Sequence, residues 1–118
     1  MTPKVLIVED EGLVALTMED LLTDLGCEIA GSFGGVAPAL AWIASEPGLD
    51  GALLDVNLGG EMVYPVAEAL AERGVPFAFA TGYGAVPEAR FADAPVVSKP
   101  VNLAKLEKVV RYFVKEEG

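Results

Sequence analysis

Near the start of the chain, four apolar residues, Val5-Leu6-Ile7-Val8, run directly into three carboxylates, Glu9-Asp10-Glu11. A short, unbroken apolar run bounded in this way reads as a strand buried on both faces, the kind found inside a parallel sheet. Acids directly behind such a strand stand at its carboxyl end, where open α/β sheets place their ligands. Three like charges at one strand end repel each other. A hard divalent cation, which takes oxygen ligands, is the natural group to gather them.

The length of 118 residues fits one domain, 1–118, and an apolar content of 53% is ample for its core. A net charge of −10 with no basic stripe argues against binding nucleic acid and against attraction to anionic membrane surfaces. The apolar runs are of strand length, so neither a spanning segment nor a signal peptide is expected, and the chain reads as cytoplasmic. The one cysteine, Cys27, excludes an internal disulfide and suits a small apolar filler between a helix and a strand. The absence of histidine removes imidazole-based acid–base chemistry and zinc sites built on it.

Further along, Val14, Met18, Leu21, Leu22 and Leu25 mark one face of a helix, with Gly26 placed just past its end. A weak strand over Glu28–Ser32 precedes a helix carrying Val36, Leu40, Ile43 and Ala44. The third strand, Gly51–Asp55, is apolar until it ends on a carboxylate. A loop over Asn57–Glu61 leads to a helix with Val63, Val66, Ala67 and Leu70. Pro76–Thr81 is a fourth strand, ending on a hydroxyl. The stretch from Gly82 to Ala94 has little apolar periodicity, so a fourth helix there is expected to be short or poorly formed. Pro95–Ser98 gives a fifth strand, followed by Lys99-Pro100 and a last helix with Leu103, Leu106, Val110 and Phe113, capped by Asn102. Strands alternating with helices imply a parallel sheet covered on both faces. At this length the fold class is α/β: a flavodoxin-like, doubly wound, five-stranded sheet of order 2-1-3-4-5.

In that topology Glu9, Asp10, Asp55, Thr81 and Lys99 arrive together at one edge. Any one of them has an ordinary structural explanation; their joint arrival points to a shared site. The chemistry that fits is phosphoryl transfer to Asp55, with Mg²⁺ held by Glu9, Asp10 and Asp55. Lys99 supplies fixed positive charge, and Thr81 donates a hydrogen bond to a phosphoryl oxygen.

These motifs, spread over essentially the whole chain, resemble the response-regulator receiver domains of bacterial two-component signalling. The resemblance implies that Asp55 is the phosphoacceptor, that Asp10 binds Mg²⁺ directly and Glu9 through water, and that the backbone carbonyl of Asn57 completes the protein's share of the metal shell. It also implies a cis bond between Lys99 and Pro100. The segment Pro76-Phe77-Ala78-Phe79-Ala80-Thr81-Gly82-Tyr83-Gly84, with the three-acid start and the Asn57-to-Glu61 loop, is similar to the atypical FATGUY subfamily. That subfamily implies alphaproteobacterial signalling and a sensor histidine kinase of the HWE type. A downstream regulator or phosphotransfer protein would receive the signal, with the chain acting as a monomer or weak dimer.

Two departures from the common receiver stand out. Val96 occupies the position of the usual aromatic switch residue, and Leu58-Gly59-Gly60 replaces the usual proline after the acceptor. The switch is therefore expected at Thr81, Gly82, Tyr83 and Gly84, where paired glycines free the backbone. The start at Met1 and the polar end Lys115-Glu116-Glu117-Gly118 favour a stand-alone receiver over one cut from a longer regulator. A haloacid-dehalogenase-type phosphatase would want an aspartate two residues after its nucleophile, where this chain has Asn57. A flavodoxin would need a phosphate loop in place of the three acids, and a scaffold without chemistry would not need the intact site.

Overall fold

In the computed structural model, which describes residues 2–45, 47–82 and 88–117, the opening apolar run forms strand β1, Lys4–Val8, with Val5 to Val8 fully buried. Its side chains alternate between two cores. Val5 and Ile7 enter one, Leu6 and Val8 the other, as the two-residue period of a strand requires. The remaining elements follow as helix α1 (Gly12–Asp24), strand β2 (Glu28–Phe33), helix α2 (Val36–Ile43) and strand β3 (Gly51–Asp55). After them come strands β4 (Asn57–Leu58) and β5 (Glu61–Met62), helix α3 (Tyr64–Glu72), strand β6 (Phe77–Thr81), strand β7 (Val96–Ser98) and helix α4 (Leu103–Glu117). The five long strands make one parallel sheet in the order β2-β1-β3-β6-β7, the doubly wound order expected from the sequence. None of the described helices is long and apolar enough to cross a membrane.

The two helices α1 and α4 cover one face, where Met18, Leu22, Leu106, Val109 and Phe113 meet Val5, Ile7, Leu53, Ala78 and Ala80. Small residues on β6 leave room there for the fully buried Phe113. At the head of β3 the requirement is stricter, since a Cβ on Gly51 would overlap the Phe113 ring. The opposite face is covered by α2 and α3, which pack Ile43, Val66, Ala67 and Leu70 onto Leu6, Leu54, Phe77 and Phe79. Both α1 and α3 end on a glycine in the left-handed region, Gly26 and Gly74. The amides just beyond turn back to the last carbonyls (Cys27 to Leu22, 3.0 Å; Val75 to Leu70, 3.0 Å). These stops point the chain straight back into β2 and β6.

The structure departs from the sequence reading between Asn57 and Met62. What reads as a loop is a small antiparallel hairpin, β4 to β5, turning on Gly59 and Gly60. Both glycines have positive φ, +64° and +102°, a condition for a two-residue hairpin turn that glycine meets without strain. Between β6 and β7 the described residues hold only a single 3₁₀ turn, Ala89–Phe91, in keeping with the short or poorly formed helix expected there.

Candidate functional site

The carboxyl edge of the sheet opens into a cleft of about 910 Å³ lined by Asp10, Asp55, Asn57, Thr81, Gly82 and Lys99, among others. Glu9 leaves β1 still hydrogen-bonded to the sheet, its amide donating to the Phe33 carbonyl at 2.9 Å, and its side chain is buried beneath the cleft. One carboxylate oxygen, Oε2, accepts the Glu11 amide at 3.1 Å. The other, Oε1, is 2.6 Å from Lys99 Nζ, an ion pair whose geometry does not align as a hydrogen bond. Asp10 is exposed and lines the cleft, and Glu11, at the N-cap of α1, lines it as well.

Asp55 is the last residue of β3 and is buried, held in register opposite Ala80 of β6. Its Oδ1 lies 3.3 Å from Lys99 Nζ. Glu9, Asp10 and Asp55 each offer an oxygen within 4.8 Å of the others. Burial, and secondly the Glu9 carboxylate beside it, push Asp55 up to about 7, with Lys99 offsetting part of the rise. Burial alone would lower the Lys99 ammonium, but Glu9 and Asp55 outweigh it and hold the group above its ordinary range. The cluster therefore holds more negative charge than one ammonium compensates. All of its donors are oxygens, Glu9 Oε1 lacks an aligned hydrogen bond, and the mouth at Asp10 is open to water. These features suit a hard divalent cation that retains part of its hydration shell.

Thr81 ends β6 and is buried; its carbonyl accepts the Lys99 amide at 2.9 Å, which fixes the two residues side by side. The Lys99–Pro100 peptide bond is cis. The Asn57 side chain is committed to the hairpin, where Oδ1 accepts the Gly60 amide at 2.6 Å. Of the residues expected at the switch, Thr81 and Gly82 line the cleft, whereas Tyr83 and Gly84 lie outside the described residues. Val96 is half exposed on β7 and sends no ring toward the cleft.

Sequence reasoning passed over three groups near this edge. Phe91, in the 3₁₀ turn, inserts into an aromatic box: it stacks on Tyr64 (5.8 Å between centroids) and meets Phe77 edge-on (5.7 Å). The Tyr64 hydroxyl accepts the Glu88 amide at 3.2 Å, and Arg90 pairs with Glu68 of α3 at 3.0 Å. A lone phenylalanine in a polar stretch was the available signal. Lys105, whose ammonium reaches the loop around Lys99, was visible as a cation in a helix's first turn, where the dipole disfavours it.

A buried carboxylate at the end of the third long strand, two further acids behind the first, and a hydroxyl and an ammonium after the last two meet at one edge of a doubly wound sheet, the arrangement that the receiver resemblance implies. Comparison with solved structures agrees. The solution structure of SdrG from Sphingomonas melonis Fr1 is 45% identical and matches with a TM-score of 0.84, covering 96% of this chain and 97% of that one. The BeF3-activated conformation of SdrG from Pseudomonas melonis Fr1, also 45% identical, covers 92% of each chain at a TM-score of 0.77. The REC domain of the response regulator PhyR from Erythrobacter litoralis is 29% identical, with a TM-score of 0.80 over 97% of this chain and 91% of that one. No family model matches the chain, and no curated protein does. The chain belongs to the response-regulator receiver domains, which are signalling domains and not classical enzymes.

Proposed function

We propose that residues 1–118 form a single receiver domain that accepts a phosphoryl group on Asp55 from a sensor histidine kinase. The observation that carries this reading is the buried Asp55 carboxylate at the cleft floor, 3.3 Å from Lys99 Nζ and clustered with Glu9 and Asp10. An Asp55 carboxylate oxygen attacks phosphorus and the new P–O bond forms as the bond to the donor breaks. For a phosphohistidine the leaving imidazole takes its proton from water; for acetyl phosphate, acetate departs. Lys99 offers its ammonium to the transferring oxygens, and Thr81 its hydroxyl, so that charge spreading over the phosphoryl meets fixed donors. Glu9, Asp10, Asp55 and the Asn57 backbone carbonyl would hold Mg²⁺, which supplies positive charge against the repulsion between an acidic cleft and an anionic phosphoryl. Hydrolysis of the acyl phosphate at the same site would return the domain to rest.

The Pro76-to-Gly84 sequence and the likeness to SdrG and PhyR support placing the chain with the FATGUY receivers, with an HWE-type kinase upstream and a downstream regulator or phosphotransfer protein. It would work in the cytoplasm of a bacterium, through protein contacts and without nucleic acid or membrane. With Val96 facing outward, the response to phosphorylation runs through Thr81 and Gly82 into the segment that ends at the Phe91 anchor. The test is incubation with Mg²⁺ and acetyl phosphate. A single phosphoryl mass increment, lost without Mg²⁺ and in Asp55→Asn, is expected; its absence in the native chain would overturn the reading. Turnover of many equivalents per chain would point instead to an aspartyl-nucleophile phosphatase.

A further inference from the structure

Lys105 stands in the first turn of α4, where a positive charge opposes the helix dipole. Its backbone amide is capped by Asn102 Oδ1 at 2.9 Å, as the sequence suggested, so the residue is fixed at the helix entrance. Its side chain turns back over the preceding loop. The ammonium donates to the Ser98 carbonyl at 3.1 Å, to Ser98 Oγ at 3.0 Å and to the Pro100 carbonyl at 3.2 Å. An ammonium has three donors, and here all three are used. The accepting residues flank Lys99 on either side, and Lys99 carries the cation that reaches Asp55 and Glu9. The loop is also tied to β6 by the Lys99 amide on the Thr81 carbonyl. It is thus held from two directions: by the sheet beneath and by Lys105 from the helix.

We propose that Lys105 is a positioning residue for phosphoryl transfer, a clamp that fixes the Ser98–Pro100 backbone so that Lys99 is aimed before the phosphoryl arrives. The inference rests on the reading of Asp55 and Lys99 given above. A neutral side chain cannot draw three oxygens together. A guanidinium spreads its donors in a plane and does not converge on them as an ammonium does. Without the clamp, Lys99 keeps its charge but loses part of its orientation. Misplacement of a stabilising group by an ångström slows transfer without altering what is bound.

The experiment compares the native chain with Lys105→Met, Lys99→Met and Lys105→Cys, following phosphorylation by acetyl phosphate with Mg²⁺ by mass. Lys105→Met should slow phosphorylation about tenfold, as expected for a positioning effect. Its Mg²⁺ affinity by calorimetry should stay that of the native chain, and the rates are compared at a temperature where every variant is folded. Treating Lys105→Cys with 2-bromoethylamine forms an S–C bond with loss of bromide and restores an ammonium on a side chain of lysine's length. The rate should recover, while Cys27, buried with its thiol pushed up by burial, is spared. If Lys105→Met phosphorylates within about twofold of the native rate while Lys99→Met collapses, the clamp plays no part and the proposal is overturned. Loss of rate that aminoethylation does not restore would overturn it as well. A native chain that takes no phosphoryl group would instead remove the reading on which the proposal stands.

Discussion

The cluster behind β1 and β3 and the segment behind β6 both leave the carboxyl edge of one sheet, yet they are built from opposite materials. Behind β1 and β3 the structure buries Glu9 and Asp55 with a single ammonium between them. Behind β6 it buries a phenylalanine among three other rings and ties the chain outside with exposed ions. The first arrangement spends stability for chemistry: Asp55 is pushed up to about 7, so its charged form is disfavoured in the folded domain. The second contributes stability, and its described residues 88–95 do not line the cleft. Function and anchoring are thereby divided between two neighbouring regions, joined through Thr81.

That division can be broken by mutation, and the phosphorylation rate tells the two regions apart. Lys99→Met should lower the phosphorylation rate about a hundredfold, the usual cost of removing one preorganised donor, and should also lower the urea midpoint, because it leaves Glu9 and Asp55 buried without their counter-ion. Phe91→Ala should cost stability and spare the rate. Truncating a buried ring costs about 3 kcal/mol in the urea midpoint analysis, and the initial rate of phosphorylation at low temperature should remain near native. A comparable loss of rate in Phe91→Ala would show that the anchor is part of the chemistry.

Asp55→Asn sharpens the comparison through its sign. The unfolded carboxyl loses its proton near its ordinary value, 3.8, and the folded one near 7. Between these values the folded state holds more protons, so its stability falls as pH rises across the window. In a metal-free buffer at pH 8, Asp55→Asn should therefore melt higher than the native chain by a few degrees, of order 1 kcal/mol. At pH 3.5 the advantage should vanish, and adding Mg²⁺ at pH 8 should narrow it. The smallest effect is expected at the surface. Glu68→Gln breaks an ion pair that is about half exposed on both sides, and its urea midpoint should be indistinguishable from that of the native chain.

The same contrast explains what could be read in advance. The acidic cluster was legible because each member is the continuation of a strand, and a parallel sheet fixes where strand ends meet. Glu9, Asp10, Asp55, Thr81 and Lys99 needed only the strand order, and the strand order needed only the alternation of apolar runs. Asn102 as a cap was equally local. The Gly59-Gly60 hairpin was missed because two residues of pairing leave too short a pattern, although paired glycines are a turn signal in themselves. Phe91 and Tyr64 were missed for another reason: their stacking joins residues 27 apart through no repeating period. Lys105 depends on side-chain reach across a loop, which periodicity does not encode.

On the proposed function Asp55, and not either acid beside it, receives the phosphoryl group. Brief reaction with acetyl phosphate and Mg²⁺, then borohydride reduction, converts an aspartyl phosphate to homoserine, which peptide mass mapping locates. Homoserine at position 55 is the result this structure predicts. Reduction at Asp10, or at no carboxylate in a chain that has gained phosphoryl mass, would contradict it.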